Sequence, residues 1–223
     1  MIRIFDRNTG ATPFHRALAA GACALLLAAC GDGGPTGPDA RGGEDDFSRN
    51  TLSRYTATSD AGAPWRISGG MLVGNGLAIH GVLIREGAAL ESGWVETTTS
   101  HVDDGGLVVG YVDNDNYYLL GIRDDAAPFP RGSRNLAVYE RVDGVFYERW
   151  DTDVTWPRGT ARTLRFELVG GDHVRVLMDG ELIVEGPVVP NGGTGFGLRH
   201  YGDDATWESR FDGFRWEITD TGD

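Results

Sequence analysis

The sequence predicts an all-β domain, a two-sheet antiparallel jelly-roll sandwich, on three observations. Between Phe47 and Thr219 no apolar period of 3.6 residues is sustained; short alternating runs recur instead, broken by Gly, Asn and Asp. Asp-Gly twice separates two such runs, in Val142-Asp143-Gly144-Val145 and in Met178-Asp179-Gly180-Glu181. A two-residue Asp-Gly loop accepts the positive φ values of a type I′ turn, so each marks a hairpin. The runs show no internal repeat, which argues against a propeller and for two stacked sheets.

In order, the expected strands are Trp65–Ile67, Met71–Val73, Leu77–Arg85, Gly93–Val102, Leu107–Val112, Tyr117–Arg123, Leu136–Val142, Val145–Trp150, Thr163–Val169, Val174–Met178, Glu181–Val184, Thr194–His200 and Arg210–Ile218. Asp113-Asn114-Asp115-Asn116 is expected to join its two neighbours as a four-residue loop.

Composition narrows the chemistry. The 223 residues carry a net charge of −13, and all 20 basic residues are arginine. Without lysine there is no phosphate-loop lysine, Schiff base or Ser–Lys dyad. The acidic balance argues against nucleic acid as a partner, since such binders displace counterions with basic residues.

The amino-terminal segment has its own logic. Arg3, Arg7 and Arg16 precede an apolar run from Ala17 to Ala29. Spanning a bilayer as a helix takes about 20 residues, so this run is too short and fits a secretory signal instead. It ends in Leu27-Ala28-Ala29-Cys30, which resembles the lipobox of bacterial lipoproteins. That resemblance implies cleavage after residue 29, lipid on Cys30 and attachment to the cell envelope. Gly31 at the next position points to the outer membrane in a Gram-negative cell. Residues 30–46, rich in Gly, Pro and Asp, are expected to be a disordered tether, with the domain at 47–219 and a disordered tail at 220–223. Cys23 leaves with the signal, so no disulfide or catalytic thiol remains.

Within the domain, the order of segments resembles the concanavalin A-like superfamily, including laminin-G-like and 3-keto-disaccharide hydrolase-like jelly rolls. The resemblance rests on Asp46-Phe47-Ser48, WRISGGML at Trp65–Leu72, GWVETTTSHV at Gly93–Val102 and GLVVGYVDNDNYYLLGIR at Gly106–Arg123. It continues in LRFELVGGDHVRVLMDGELI, GTGFGLRHYG and FDGFRWEI. It implies a fold that hosts lectins, glycanases and adhesion modules, and so leaves function open.

Catalytic motifs are sparse. Glucanases of this superfamily carry E-x-D-x-x-E on one strand; Glu91-Ser92-Gly93-Trp94-Val95-Glu96 has glycine in place of the aspartate, and alternation puts the two glutamates on opposite faces. Gly197-Leu198-Arg199-His200-Tyr201-Gly202 resembles a GLQ-x-HG segment of the keto-disaccharide relatives, but with the histidine one place early, and one step along a strand changes face. His80, His101, His173 and His200 have no ligand-like spacing. No cofactor is expected. A structural Ca²⁺ is weighed on the acidic turns Asp103-Asp104 and Asp203-Asp204, whereas Asp113–Asn116 lacks the glycine of an EF-hand loop.

The expected function is therefore non-catalytic carbohydrate binding on a lipid-anchored surface protein. A glycoside-acting hydrolase and a protein-adhesion module are the alternatives, the latter with a protein partner. The Asp-Gly hairpin pairs Tyr139 with Glu148 and Ala137 with Trp150, so Tyr139, Arg141, Glu148 and Trp150 are expected on one face, as aromatic and hydrogen-bonding groups facing a sugar. Leu136, Val138, Val142, Val145 and Tyr147 are expected on the other face, toward the core. The alternative is that Trp150 caps the core.

The lipid anchor is directly testable. Cys30→Ser is expected to abolish incorporation of a fatty-acid probe during growth; a mutant that still labels would contradict the lipobox reading.

Overall fold

The structure is a computed structural model that describes residues 41–58, 65–128 and 134–219; the signal segment, Cys30, most of the tether and the 220–223 tail lie outside the described residues. The described residues form two antiparallel sheets and one short 3₁₀ turn at Leu52–Arg54.

Sheet A contains β1 (Gly42–Asp45), β3 (Trp65–Ser68), β4 (Met71–Asn75), β6 (Gly93–Val102), β11 (Arg162–Val169), β12 (His173–Met178), β13 (Glu181–Pro187) and β15 (Glu208–Ile218), ordered β13-β12-β11-β6-β15-β4-β3, with β1 beside β15. Sheet B contains β2 (Tyr55–Thr58), β5 (Ala78–Arg85), β7 (Gly105–Asp113), β8 (Asn116–Ile122), β9 (Leu136–Val142), β10 (Val145–Thr152) and β14 (Gly195–Gly202), ordered β10-β9-β8-β7-β14-β5-β2.

Alternation along each strand builds the core between the sheets. Sheet A contributes Val95, Leu164, Phe166, Val174, Val176, Phe211 and Phe214; sheet B contributes Leu83, Leu107, Val109, Leu120, Ile122, Val138, Phe196 and Leu198. All are buried. The outer face of sheet A is charged, with Glu96 between Arg165 and Arg215 and Glu167 beside Arg175.

Both Asp-Gly hairpins have the expected geometry, with φ +49° and +81° at Asp143 and Gly144 and +54° and +86° at Asp179 and Gly180. The acidic hairpin is tighter than expected. Asp113 pairs with Asn116, so the loop is two residues, closed by Asp113 Oδ1 accepting from the Asp115 amide at 2.8 Å.

Three expectations are corrected. Residues 42–45, read as the end of the tether, form β1 against β15. A Cβ on Gly43 would stand 2.3 Å from the Trp216 ring, so glycine here seats the chain on an indole instead of keeping it loose. The Tyr55–Thr58 strand at the edge of sheet B also went unread.

The third correction concerns the β9–β10 hairpin. Its register holds through Glu148 opposite Tyr139, then Trp150 pairs with Val138 and not with Ala137, leaving Arg149 as a bulge. The extra residue turns Trp150 inward, where it packs on the core and lies over Gly186 of β13; a Cβ there would come within 2.2 Å of the indole. Arg149 is held by the buried Glu140 carboxylate, to which its Nε donates at 2.8 Å. Val142, Val145 and Tyr147, expected in the core, are exposed toward the tip of the hairpin.

Trp150→Ala is accordingly expected to lower stability by about 3 kcal/mol, as truncation of a large core aromatic does. A denaturant titration checks this, and an unchanged midpoint would return Trp150 to the surface.

Candidate functional site

The outer face of sheet B differs from a solvated sheet surface. Cross-strand registers place Ala137, Gly121, Gly106, Arg199 and Val82 in one row over five strands, with Tyr139, Leu119, Val108, Gly197 and Ile84 in the next. Val82, Val108, Tyr117 and Leu119 form a second buried apolar cluster on this face, with Tyr111, Tyr139 and Phe146 packed against it.

A depression lies in that surface beside Gly121. Gly106 pairs with Gly121: a Cβ on Gly106 would stand 2.4 Å from the Leu120 carbonyl oxygen, which leaves it no room, and one on Gly121 would stand 3.0 Å from Tyr139 Cε2, a tight contact with that ring. The depression has a volume of about 190 Å³ and is lined by Asp104, Leu119, Gly121, Arg123, Tyr139, Phe146 and Arg199.

Phe146 is the hub of the aromatic wall. Its ring meets Tyr139 edge-on at 5.8 Å and Tyr117 at 6.2 Å. The Arg141 guanidinium lies 4.9 Å from its centroid and that of Arg199 5.7 Å, so two cations use one aromatic ring. Arg199 also lies 5.4 Å from the Tyr201 ring.

The polar wall is built on Asp104, which is 3% exposed. Arg199 Nη1 donates to its Oδ1 at 3.2 Å, and Arg123 Nη2 donates to its Oδ2 at 3.3 Å. Its main-chain oxygen accepts from the Tyr201 amide and the Ser209 hydroxyl. Burial pushes the Tyr139 phenol above its ordinary value; Glu148 adds to the shift and Arg123 opposes it. The phenol is therefore neutral at physiological pH and is able to donate a hydrogen bond.

Of the residues expected to face a ligand, Tyr139, Arg141 and Glu148 lie on this face, while Trp150 turns inward. Arg141 is buried, reaching Asp115 at 3.1 Å. Phe146, Arg123, Arg199 and Asp104 were not singled out for the site. Phe146 was legible from alternation with Glu148; Arg199 was noticed only as a departure from a motif.

Of the acidic turns weighed for calcium, Asp103-Asp104 is engaged by arginines. Arg158 bridges Asp103 and Asp124, its Nε donating to Asp124 Oδ2 at 2.9 Å. Asp103 Oδ2 accepts the Glu208 amide at 2.8 Å. Asp203 and Asp204 are exposed in a turn, and no cluster of three metal-ligating side chains occurs among the described residues. Glu91 is exposed before β6 while Glu96 is ion-paired on sheet A, so the two do not converge.

His200 faces the interior, as the one-residue offset implied. It is fully buried, with Nδ1 3.0 Å from Ser209 Oγ and its ring edge-on to Trp65. A Cβ on Gly74 would stand 2.6 Å from His200 Cβ. His101 lies 3.9 Å from Asp103, and burial lowers its proton affinity.

Comparisons place the architecture. No family model matches the chain, and no curated protein matches it. Among solved structures it is similar to the carbohydrate-binding module CBM66 from Bacillus subtilis, at 14% identity and TM-score 0.53, over 74% of this chain and 92% of that one. It is also similar to a β-glucanase of Bacillus licheniformis, at 10% identity and TM-score 0.57, over 80% and 98%. A third is the Emp46p carbohydrate recognition domain in its potassium-bound form, at 13% identity and TM-score 0.51, over 74% and 89%. At these identities the likeness shows the fold, a two-sheet jelly-roll sandwich.

Burial pushes the His200 proton affinity down to a pKa of about 4. The unfolded chain then takes up this proton at higher pH than the folded one, so the contribution is intact above pH ~6.5 and is lost as pH falls toward 4. About 3 kcal/mol is at stake over that window. Stability measured at pH 7 and pH 4.5 is expected to fall more in wild type than in His200→Asn; parallel losses would mean that another group is responsible.

Proposed function

We propose that the protein binds carbohydrate, without catalysis, on the outer face of sheet B. The observation that carries this reading is the depression that brings Tyr139 and Phe146 together with Arg123, Arg199 and Asp104 beside Gly121. A sugar ring has apolar C–H faces and a hydroxyl rim, and this site offers an aromatic surface beside fixed donors and an acceptor. The volume of about 190 Å³ is below the 300–1,000 Å³ usual for an enclosed small-molecule pocket, so the site suits one residue of a glycan running across the open sheet.

The non-catalytic part of the reading rests on the carboxylates. Among the residues lining the depression, Asp104 is the one carboxylate, and both its oxygens accept from arginines. A glycosidase of the usual kind needs two carboxyl groups flanking the bond it cleaves. The fold relatives named above, a carbohydrate-binding module and a carbohydrate recognition domain among them, support a glycan as ligand.

The lipobox-like Leu27–Cys30 extends the proposal to location: the domain is exported and held at the cell envelope by lipid on Cys30, where extracellular or periplasmic glycans are within reach.

Phe146→Ala is expected to weaken binding of any glycan recovered from an oligosaccharide array by about tenfold or more, the scale of losing a central aromatic anchor. Unchanged affinity in a folded variant would move the site elsewhere. Hydrolysis of an array glycan by the wild type would overturn the non-catalytic reading.

A further inference from the structure

We propose that the depression on sheet B receives the end of a glycan chain and not an internal stretch, because a strap from β7 to β2 closes it on one side; this rests on the carbohydrate reading above. The strap begins with an irregularity in β7. The β7–β8 register shifts between Val109 and Asp113, and Gly110 within that stretch has φ +60°. A Cβ there would stand 2.6 Å from the Tyr118 ring, so only glycine fits. Such a shift bends a strand and re-aims its tip. The tip spans two strands: β14 and β5 separate β7 from β2, yet Asn114 Oδ1 accepts from the Thr58 hydroxyl at 2.7 Å. The same oxygen accepts from the Tyr111 hydroxyl at 3.0 Å, and the Tyr111 ring stacks on Tyr117 at 6.0 Å.

Burial follows the strap. On β7, β14 and β5 the outward positions Gly106, Val108, Gly197, Arg199 and Val82 are all buried. Tyr111 and Ile84 pack against the cluster that contains Val82 and Val108. A sugar stacks only on a surface that it can reach, and this band offers none.

The opposite side differs. β10 is the last strand of sheet B, Tyr139 and Phe146 are half-buried, and Glu148 is exposed. The depression therefore opens toward the β10 edge. It stops at Leu119 and Arg199, which line it and whose cross-strand neighbours on the far side, Val108 and Val82, belong to the covered band. An internal residue of a chain needs two exits, and this site has one. A chain crossing β10 and β9 ends with its last residue in the depression. Thr58 and Asn114 are positioning residues in this scheme: they hold the strap without touching the sugar.

Counting binding sites per gram of polymer tests the proposal on the purified full chain. The probes are β-1,3-glucan, β-1,4-xylan, β-1,4-galactan and the parent polymer of any glycan recovered from the array, each intact and cut to short oligomers. Titration of a polymer that binds is expected to show capacity per gram rising with the number of chain ends, about tenfold for each decade of shortening, since each end is one epitope. The dissociation constant per site is expected to stay the same. Thr58→Val combined with Asn114→Ala releases the strap and is expected to raise capacity on the intact polymer severalfold, as internal residues become acceptable. Should that variant fail to melt cooperatively, the wild-type capacities decide alone. Wild-type capacity per gram that cutting leaves unchanged overturns end recognition and leaves carbohydrate binding standing. Binding to none of the polymers and to no array glycan overturns both.

Discussion

The buried carboxylate of Asp104 organises the outer face of sheet B. Its side chain holds Arg123, which follows β8, and Arg199 of β14, while its main-chain oxygen ties Tyr201 and Ser209. One residue in the β6–β7 turn thus connects three neighbouring parts of the fold. Removing one partner of a buried ion pair costs about 3–5 kcal/mol, because the other charge is left stranded. The arginines stay where they are because leaving Asp104 is expensive, and the aromatic wall is aligned by the arginines in turn. Arg141 and Arg199 bracket Phe146, and Phe146 orients Tyr139.

Glycine does the complementary work of allowing close approach. Gly106 lies against the Leu120 carbonyl, Gly121 lines the depression beside Tyr139, Gly186 receives the Trp150 indole, and Gly43 lies under Trp216. An added methyl group would collide with a ring or a carbonyl at Gly43, Gly106 and Gly186 and crowd the Tyr139 ring at Gly121. The high glycine count, 34 residues, is therefore partly a packing device. It also explains why a glycine-rich stretch such as Gly42-Gly43 can belong to a strand when an aromatic ring is waiting for it.

Much of the fold was legible because it follows from alternation and turn chemistry. Gly93–Val102 and Leu136–Val142 appear with the bounds that their patterns predict, and both Asp-Gly turns take positive φ at each central residue. Tyr139, Arg141 and Glu148 were placed on the correct face for the same reason. The bulge at Arg149 was not legible, since a one-residue insertion leaves no mark in an alternating pattern until the partner strand is known. That single slip reversed Trp150. The polar wall was invisible for a different reason: Asp104, Arg123 and Arg199 come from three places in the chain, and only the sheet order brings them together. Asp103-Asp104, one of the two acidic pairs that suggested calcium, faces arginines, a partner that spacing cannot reveal.

The most direct test of the central claim is an amide chemical-shift titration of the domain with a glycan that it binds. The account predicts that the largest shifts fall on Leu119, Gly121, Tyr139, Phe146 and Arg199, with the outer face of sheet A unmoved. Shifts concentrated instead on the loop cleft formed by Glu91, Gly171, Asn191 and Gly193, or on the charged face around Glu96 and Arg165, would contradict it.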